Sequence, residues 1–152
     1  NRRRGADKYR CNPWGCGMIR AATIDDIPTL TEWGGKFHAA SGMAAPFNPE
    51  AAKSLLAQLI PNPSAAVLMS DGGAIGGILS PAYCAPEWVL AVEMFWWAEK
   101  DGIRLLRAFE TWAHDNDADE IRMTSLAALP RASAILGRLG YDPAEISYSK
   151  VI

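Results

Sequence analysis

The sequence predicts an α+β domain: a mixed central sheet, antiparallel in its first half and parallel in its second, flanked by about four helices. Three observations carry this reading. Residues 65–70 and 74–79 are short apolar runs joined by Asp71-Gly72-Gly73, the signature of a hairpin. Residues 91–113, AVEMFWWAEKDGIRLLRAFETWA, read as a buried strand, a polar turn with one glycine, and an amphipathic helix. Beyond residue 113, strand and helix patterns alternate, which calls for a crossover and hence parallel pairing.

The elements follow in order. Residues 19–22 form a short first strand, and Thr23 caps a helix through T-x-D-D with Pro28 near its first turn. Ile27, Leu30 and Trp33 supply its inner face, and Gly34-Gly35 is expected to interrupt it, leaving residues 36–47 as a loop. Asn48 or Pro49 opens a second helix with Ala52, Leu55, Leu56 and Leu59 on one side, ended by Pro61 and Pro63. After the hairpin, residues 81–86 read as a loop and Trp88 as the start of the next strand. Val92, Met94, Phe95, Trp96 and Trp97 make that strand densely apolar. In the helix after it, Leu105, Leu106, Phe109, Trp112 and Ala113 recur at helical spacing. Residues 121–124 form a strand, Pro130 opens a helix that Gly140 ends, and the alternation over 146–151 predicts a final strand.

A strand that turns tightly into a helix leaves the first helical amides unpaired, an arrangement that suits a phosphate. The unit over 91–113 either holds an anionic cofactor there or is an ordinary strand–helix unit of the core.

Composition bounds the remainder. The chain has 152 residues, enough for one domain with a real core, and its 49% apolar and 21% charged shares are those of a globular protein. Net charge is −2, which gives no global argument for nucleic acid or an anionic membrane. Charge is uneven, however. Residues 1–17 carry Arg2, Arg3, Arg4, Lys8 and Arg10 against Asp7 alone, a basic arm with Tyr9 and Trp14 as anchors, ahead of an acidic body over 18–152 that starts at Met18. No apolar run reaches the roughly 20 residues of a bilayer span, and the arm lacks the apolar core of a secretory signal. Cys11 and Cys16, with four residues between them, suit a bridge, half a zinc site or plain loop cysteines; Cys84 is expected to be small and buried, in a reducing compartment. His38 and His114 are read as a surface residue and a helix-end cation. Trp96 and Trp97 are read as packing on opposite faces.

This order of elements resembles the GCN5-related N-acetyltransferase (GNAT) superfamily over residues 18–152. IRAATIDDIPTL is similar to the family's opening strand and helix, and Asp71-Gly72-Gly73 with Gly76-Gly77 to its second and third strands. VEMFWW followed by GIRLLRAFETWA resembles its fourth strand and third helix, and RASAILGRLGYD its closing helix. The resemblance implies acetyl-CoA as cofactor, its pyrophosphate on the amides of Gly102, Ile103 and Arg104, with Lys100 and Arg104 adding positive charge. It implies Glu93 as general base and backbone amides from Met94 to Trp96 polarising the thioester oxygen. Two departures stand out. The turn AEKDGIR is shorter than the family's and has one glycine, and Leu136 occupies the place of the family's acid tyrosine.

Two functions are therefore expected. The first is an acetyl-CoA-dependent N-acyltransferase acting on an amine, located in the cytoplasm. The second is a catalytically degenerate fold kept as a structural or binding component. FWW and RLLRAFETWA resemble compact bacteriophage members of the superfamily. In that setting the protein would be virion-associated, its arm docked to a protein partner or touching DNA through Arg2, Arg3 and Arg4. Oligomer formation is compatible with either.

Overall fold

The computed structural model describes residues 18–152. The basic arm, with Tyr9, Cys11, Trp14 and Cys16, lies outside the described residues. A five-stranded sheet in the order β1-β2-β3-β4-β5 forms the centre: β1 (Arg20–Ala21), β2 (Ala65–Ser70), β3 (Gly73–Ala82), β4 (Ala85–Ala98) and β5 (Glu120–Arg122). The first four pair antiparallel, and β4 pairs with β5 in parallel. That is the mixed sheet the element order predicts. The helices are α1 (Ile27–Ser41), α2 (Pro49–Leu59), α3 (Gly102–Asp115) and α4 (Pro130–Arg138), with a 3-10 turn at Ile24–Asp26 leading into α1.

Each face of the sheet carries its own core. On one, Phe109, Leu105 and Leu106 of α3 are fully buried against Ile75, Ala91, Leu68 and Leu136. On the other, Leu30 of α1 and Leu56 and Leu59 of α2 pack on Val67, Met69 and Ala74. Two glycines in β3 admit an aromatic ring on each side. A Cβ on Gly76 would collide with the ring of Phe95, and one on Gly77 would meet Phe109 at 2.6 Å and the Val92 carbonyl. The sheet is thinned at this point so that both layers can close on it.

Caps act as the sequence indicates. The Asp26 carboxylate accepts from the Thr23 amide at 2.7 Å, while Arg20 grips it in bidentate fashion at 2.7 and 2.8 Å, joining β1 to the head of α1. These contacts hold Asp26 far below the usual carboxylate range, the Arg20 hydrogen bond being the main cause. Asn48 caps α2 by accepting from Glu50 and Ala51. Gly140, at φ +91°, ends α4 in the left-handed conformation.

Several expectations are corrected. Gly34 and Gly35 do not interrupt α1, which runs on to Ser41 and ends at Gly42 (φ +71°). The ring of Phe47 lies over both glycines, with ideal Cβ positions 3.5–3.6 Å from it, so the helix runs through them packed against that ring. Residues 81–86 are not a loop: β3 runs to Ala82 and β4 starts at Ala85, joined by Tyr83-Cys84 alone. That placement exposes Cys84 at a hairpin tip instead of burying it. His38 lies in the last turn of α1 and not in a loop, partly exposed, with its Nε2 2.6 Å from the Ala45 carbonyl. Residues 146–151 form no strand, and every residue from 142 to 152 is exposed. Alternation alone cannot make a strand without an edge partner to complete its hydrogen bonds.

Gly77→Ala is expected to destabilise the fold by about 1–3 kcal/mol, because the Val92 carbonyl is backbone and cannot yield. Thermal unfolding would show a Tm lower by roughly 3–10 °C. An unchanged Tm would contradict this account of the sheet.

Candidate functional site

The site grows from one irregularity in β4. In the β3–β4 register Glu93 lies opposite Gly77 and Phe95 opposite Gly76, so Met94 is an extra residue, a β-bulge. Side chains alternate along a strand, and one extra residue reverses that alternation. Ala91 and Glu93 therefore share the α3 face, Phe95 and Trp97 turn to the α1 face, and Trp96 and Ala98 return to α3. Trp97 meets Phe37 of α1 edge-on, with centroids 6.5 Å apart. The opposite-face packing read from the Trp96-Trp97 pair holds. Met94 itself is exposed.

The bulge coincides with the end of β4–β5 pairing. The last partners are Val92 and Arg122, and beyond them the strands are not paired. Glu93 links the two segments beyond that point: its Oε2 accepts a hydrogen bond from the Thr124 amide at 3.0 Å. Its side chain takes over where the ladder stops. Only 8% exposed, Glu93 pays desolvation that raises its carboxyl to about 7, while the Thr124 hydrogen bond pulls the other way.

The turn after β4 folds back on the β2–β3 hairpin, with the amides of Glu99 and Lys100 both pointing at the Gly72 carbonyl (2.8 and 3.4 Å). The Lys100 stem covers Gly72 so closely that no Cβ fits there. Glu99 pairs with Lys36 of α1 at 3.2 Å. Asp101 precedes α3 in the left-handed region, φ 64°, a costly choice for a residue other than glycine that asparagine and aspartate tolerate best. Its carboxylate pairs with Arg104 at 3.1 Å.

The first hydrogen bond of α3 runs from the Leu105 amide to the Asp101 carbonyl at 2.9 Å, so the amides of Gly102 and Ile103 precede the helical ladder. Trp96 Nε1 donates to the Gly102 carbonyl at 3.1 Å, tying the bulged strand to the helix start. A Cβ on Gly102 would sit in ordinary contact with Ala98 at 3.4 Å and the Trp96 ring at 3.8 Å, so the glycine packs against the end of β4. Ile103 is exposed, and Arg104 half-buried. The structure thus gathers Trp96, Gly102, Ile103 and Arg104 at one helix start. Lys100 turns aside to the hairpin, and Glu93 stands on the same sheet face as Trp96 beyond the bulge.

Other candidate groups are placed elsewhere. Leu136 is buried in the α3-side core. Tyr141 donates its hydroxyl to Glu110 Oε1 at 2.9 Å, and burial with that bond raises its phenol well above its ordinary value. Tyr83, 99% exposed at the hairpin tip, is eight or more strand residues from Glu93, roughly 25 Å at ~3.3 Å per residue. Thr124 and Phe37 are site neighbours that sequence reasoning did not find. Their contacts depend on the bulge and on strand offset, neither of which a hydrophobic pattern records. Trp97 Nε1 is buried without a hydrogen-bond partner among the described residues.

No known family's sequence profile matches this chain, and no curated protein matches it. Solved structures do. A ribosomal-protein-alanine N-acetyltransferase from Brucella melitensis biovar Abortus 2308 is 10% identical, with a TM-score of 0.72 over 91% of this chain and 100% of that one. A predicted acetyltransferase from Clostridium acetobutylicum, solved with acetyl-CoA, is 9% identical, with a TM-score of 0.71 over 88% and 94% of the two chains. An acetyltransferase structure from Pyrococcus furiosus is 17% identical, with a TM-score of 0.69 over 88% and 98%. At such identities the likeness establishes the fold, which is GNAT-like.

A carboxyl held at about 7 in the fold, against 4.5 ordinarily, binds its proton more tightly folded than unfolded. The stability it supplies is complete below about pH 4.5 and is lost as pH rises to about 7, a change on the order of 3 kcal/mol. Glu93→Gln keeps an acceptor for Thr124 and removes the titration. The variant should gain stability over the parent at pH 8 relative to pH 4.5, measured by urea unfolding. Parallel pH profiles would contradict the assignment.

Proposed function

We propose that the protein is an acetyl-CoA-dependent N-acyltransferase acting on an amine. The observation that carries this is the Met94 bulge, which ends β4–β5 pairing beside a buried carboxyl and a glycine-started helix. The residues present fit the cofactor. The amides of Gly102 and Ile103 stand ahead of the α3 ladder, at the positive end of a 14-residue helix. Arg104 supplies positive charge at that turn, shared with the Asp101 carboxylate, while Lys100 lies over the β2–β3 hairpin. When bound, acetyl-CoA supplies a thioester carbonyl open to attack.

The roles of the chain's own groups follow. Backbone amides from Met94 to Trp96, which lie beyond the last β4–β5 pair, polarise the carbonyl oxygen. Glu93, with its carboxyl near 7, accepts a proton from the incoming ammonium, directly or through water, so that the amine lone pair becomes available. Trp96 keeps α3 at its angle to the strand through the Gly102 carbonyl.

A second reading also has specific support. No proton donor stands where the family's acid tyrosine would, because Leu136 is core, and Tyr141 is committed to Glu110. On that basis the domain is a scaffold that has lost catalysis, and the arm over residues 1–17 is its docking segment.

Calorimetric titration with acetyl-CoA separates the two readings. The enzyme reading expects a Kd in the micromolar range, on the order of −8 kcal/mol, and at least a tenfold weakening in Gly102→Trp. It also expects acetyl transfer to a panel of amines that rises with pH through about 7 and falls roughly a hundredfold in Glu93→Gln. Absence of binding would leave the scaffold reading.

A further inference from the structure

We propose that the basic arm over residues 1–17 crosses the β2–β3 hairpin and supplies the positive charge that holds the phosphates of acetyl-CoA at the start of α3. The inference rests on the acyltransferase reading and gives the arm a part in that same site.

The first support is a shortage of positive charge at the turn. A phosphate monoester carries about −1.5 to −2 at pH 7, so the cofactor brings several negative charges to this helix start. Between Ala98 and Arg104 the chain offers Lys100 and Arg104 against Glu99 and Asp101, which cancel. Arg104 pairs with Asp101 at 3.1 Å, and the Lys100 stem lies along Gly72. Lys36 reaches the turn from α1, but it is shared between Glu99 at 3.2 Å and Glu32 at 3.4 Å. The leading amides of α3 carry only the helix dipole, equivalent to roughly half a charge. More cation is needed.

The second support is the place where the arm joins the fold. The described chain begins at Met18, two residues ahead of Arg20 in β1. Arg20 lies opposite Met69, and the next residue of β2, Ser70, lies opposite Gly73 across the hairpin turn. The arm therefore enters beside that turn. The chain leaving β4 comes to the same place, with Gly73 opposite Ala98 and the Glu99 amide on the Gly72 carbonyl at 2.8 Å. Arm and α3 start thus share one end of the sheet. β1 and β4 are three strand spacings apart, roughly 15 Å at ~4.8 Å each. An extended chain covers that in about five residues at ~3.3 Å each. Arg10 is eight residues ahead of Met18, and Lys8, Arg4, Arg3 and Arg2 lie further out.

The chemistry of the segment agrees. The arm holds five basic residues and one acidic, and four of the five are arginines, whose paired N–H donors match phosphate oxygens. Asp71 and Glu99 are exposed along the path and attract the same charges.

Calorimetry with acetyl-CoA tests this on the full chain carrying Arg2→Gln, Arg3→Gln, Arg4→Gln, Lys8→Gln and Arg10→Gln together. At low salt its Kd should be at least about tenfold higher than the parent's. The difference should close as salt approaches about 1 M, where screening reaches within ~3 Å. Equal affinities at low salt would overturn the proposal and leave the acyltransferase reading standing. A loss that persists undiminished at high salt would overturn it as well, because the arm would then act by something other than charge. A parent chain that binds no acetyl-CoA would bring down the acyltransferase reading, and this proposal with it.

Discussion

The structure depends on one extra residue in a strand. Were Met94 a regular strand residue instead of a bulge, Glu93, Phe95 and Trp97 would lie on a single face. The bulge splits them, sending Glu93 toward α3 and the two aromatics toward α1. A bulge also bends a strand and raises its twist, and here the parallel ladder with β5 stops at Val92, two residues before it. Glu93 is desolvated because it lies buried on the α3 face just before the bulge, and its bond to Thr124 continues the contact between the two strands beyond their last paired residues.

Packing on both faces keeps that irregularity in place. Gly76 receives Phe95 on one side, and Gly77 receives Phe109 on the other, so the strand opposite the bulge is clamped by rings. Phe109, Leu105 and Leu106 have no exposed surface, which fixes α3 against the sheet. The helix start cannot drift while Trp96 holds the Gly102 carbonyl. A short turn suffices here because Glu99 and Lys100 are anchored to the Gly72 carbonyl instead of forming a wide glycine loop. Left-handed Asp101 then redirects the chain into the helix.

Much of this was legible in the sequence, for identifiable reasons. The β2–β3 hairpin, the amphipathic α3, the Asn48 cap and the Gly140 stop are local signals, and all appear where they were expected. Legibility failed where a residue answers to a distant neighbour. Gly34-Gly35 reads as a helix break until Phe47 is seen lying on it. Cys84 reads as core until β3 and β4 are found to meet in a two-residue turn. The alternation over 146–152 is real, but a strand also needs an edge. At the site, Glu93 was identifiable through resemblance as the strand's carboxylate, whereas its partner Thr124 was not, since nothing local links two positions 31 residues apart.

Amide chemical shifts of the full chain, recorded as acetyl-CoA is added, test the central claim most directly. If the bulge makes the site, the amides of Met94, Phe95 and Trp96 and those of Gly102 and Ile103 should shift together on a single binding curve. The Thr124 amide should follow as Glu93 responds. Shifts confined to other parts of the molecule, or none at saturating cofactor, would contradict the account.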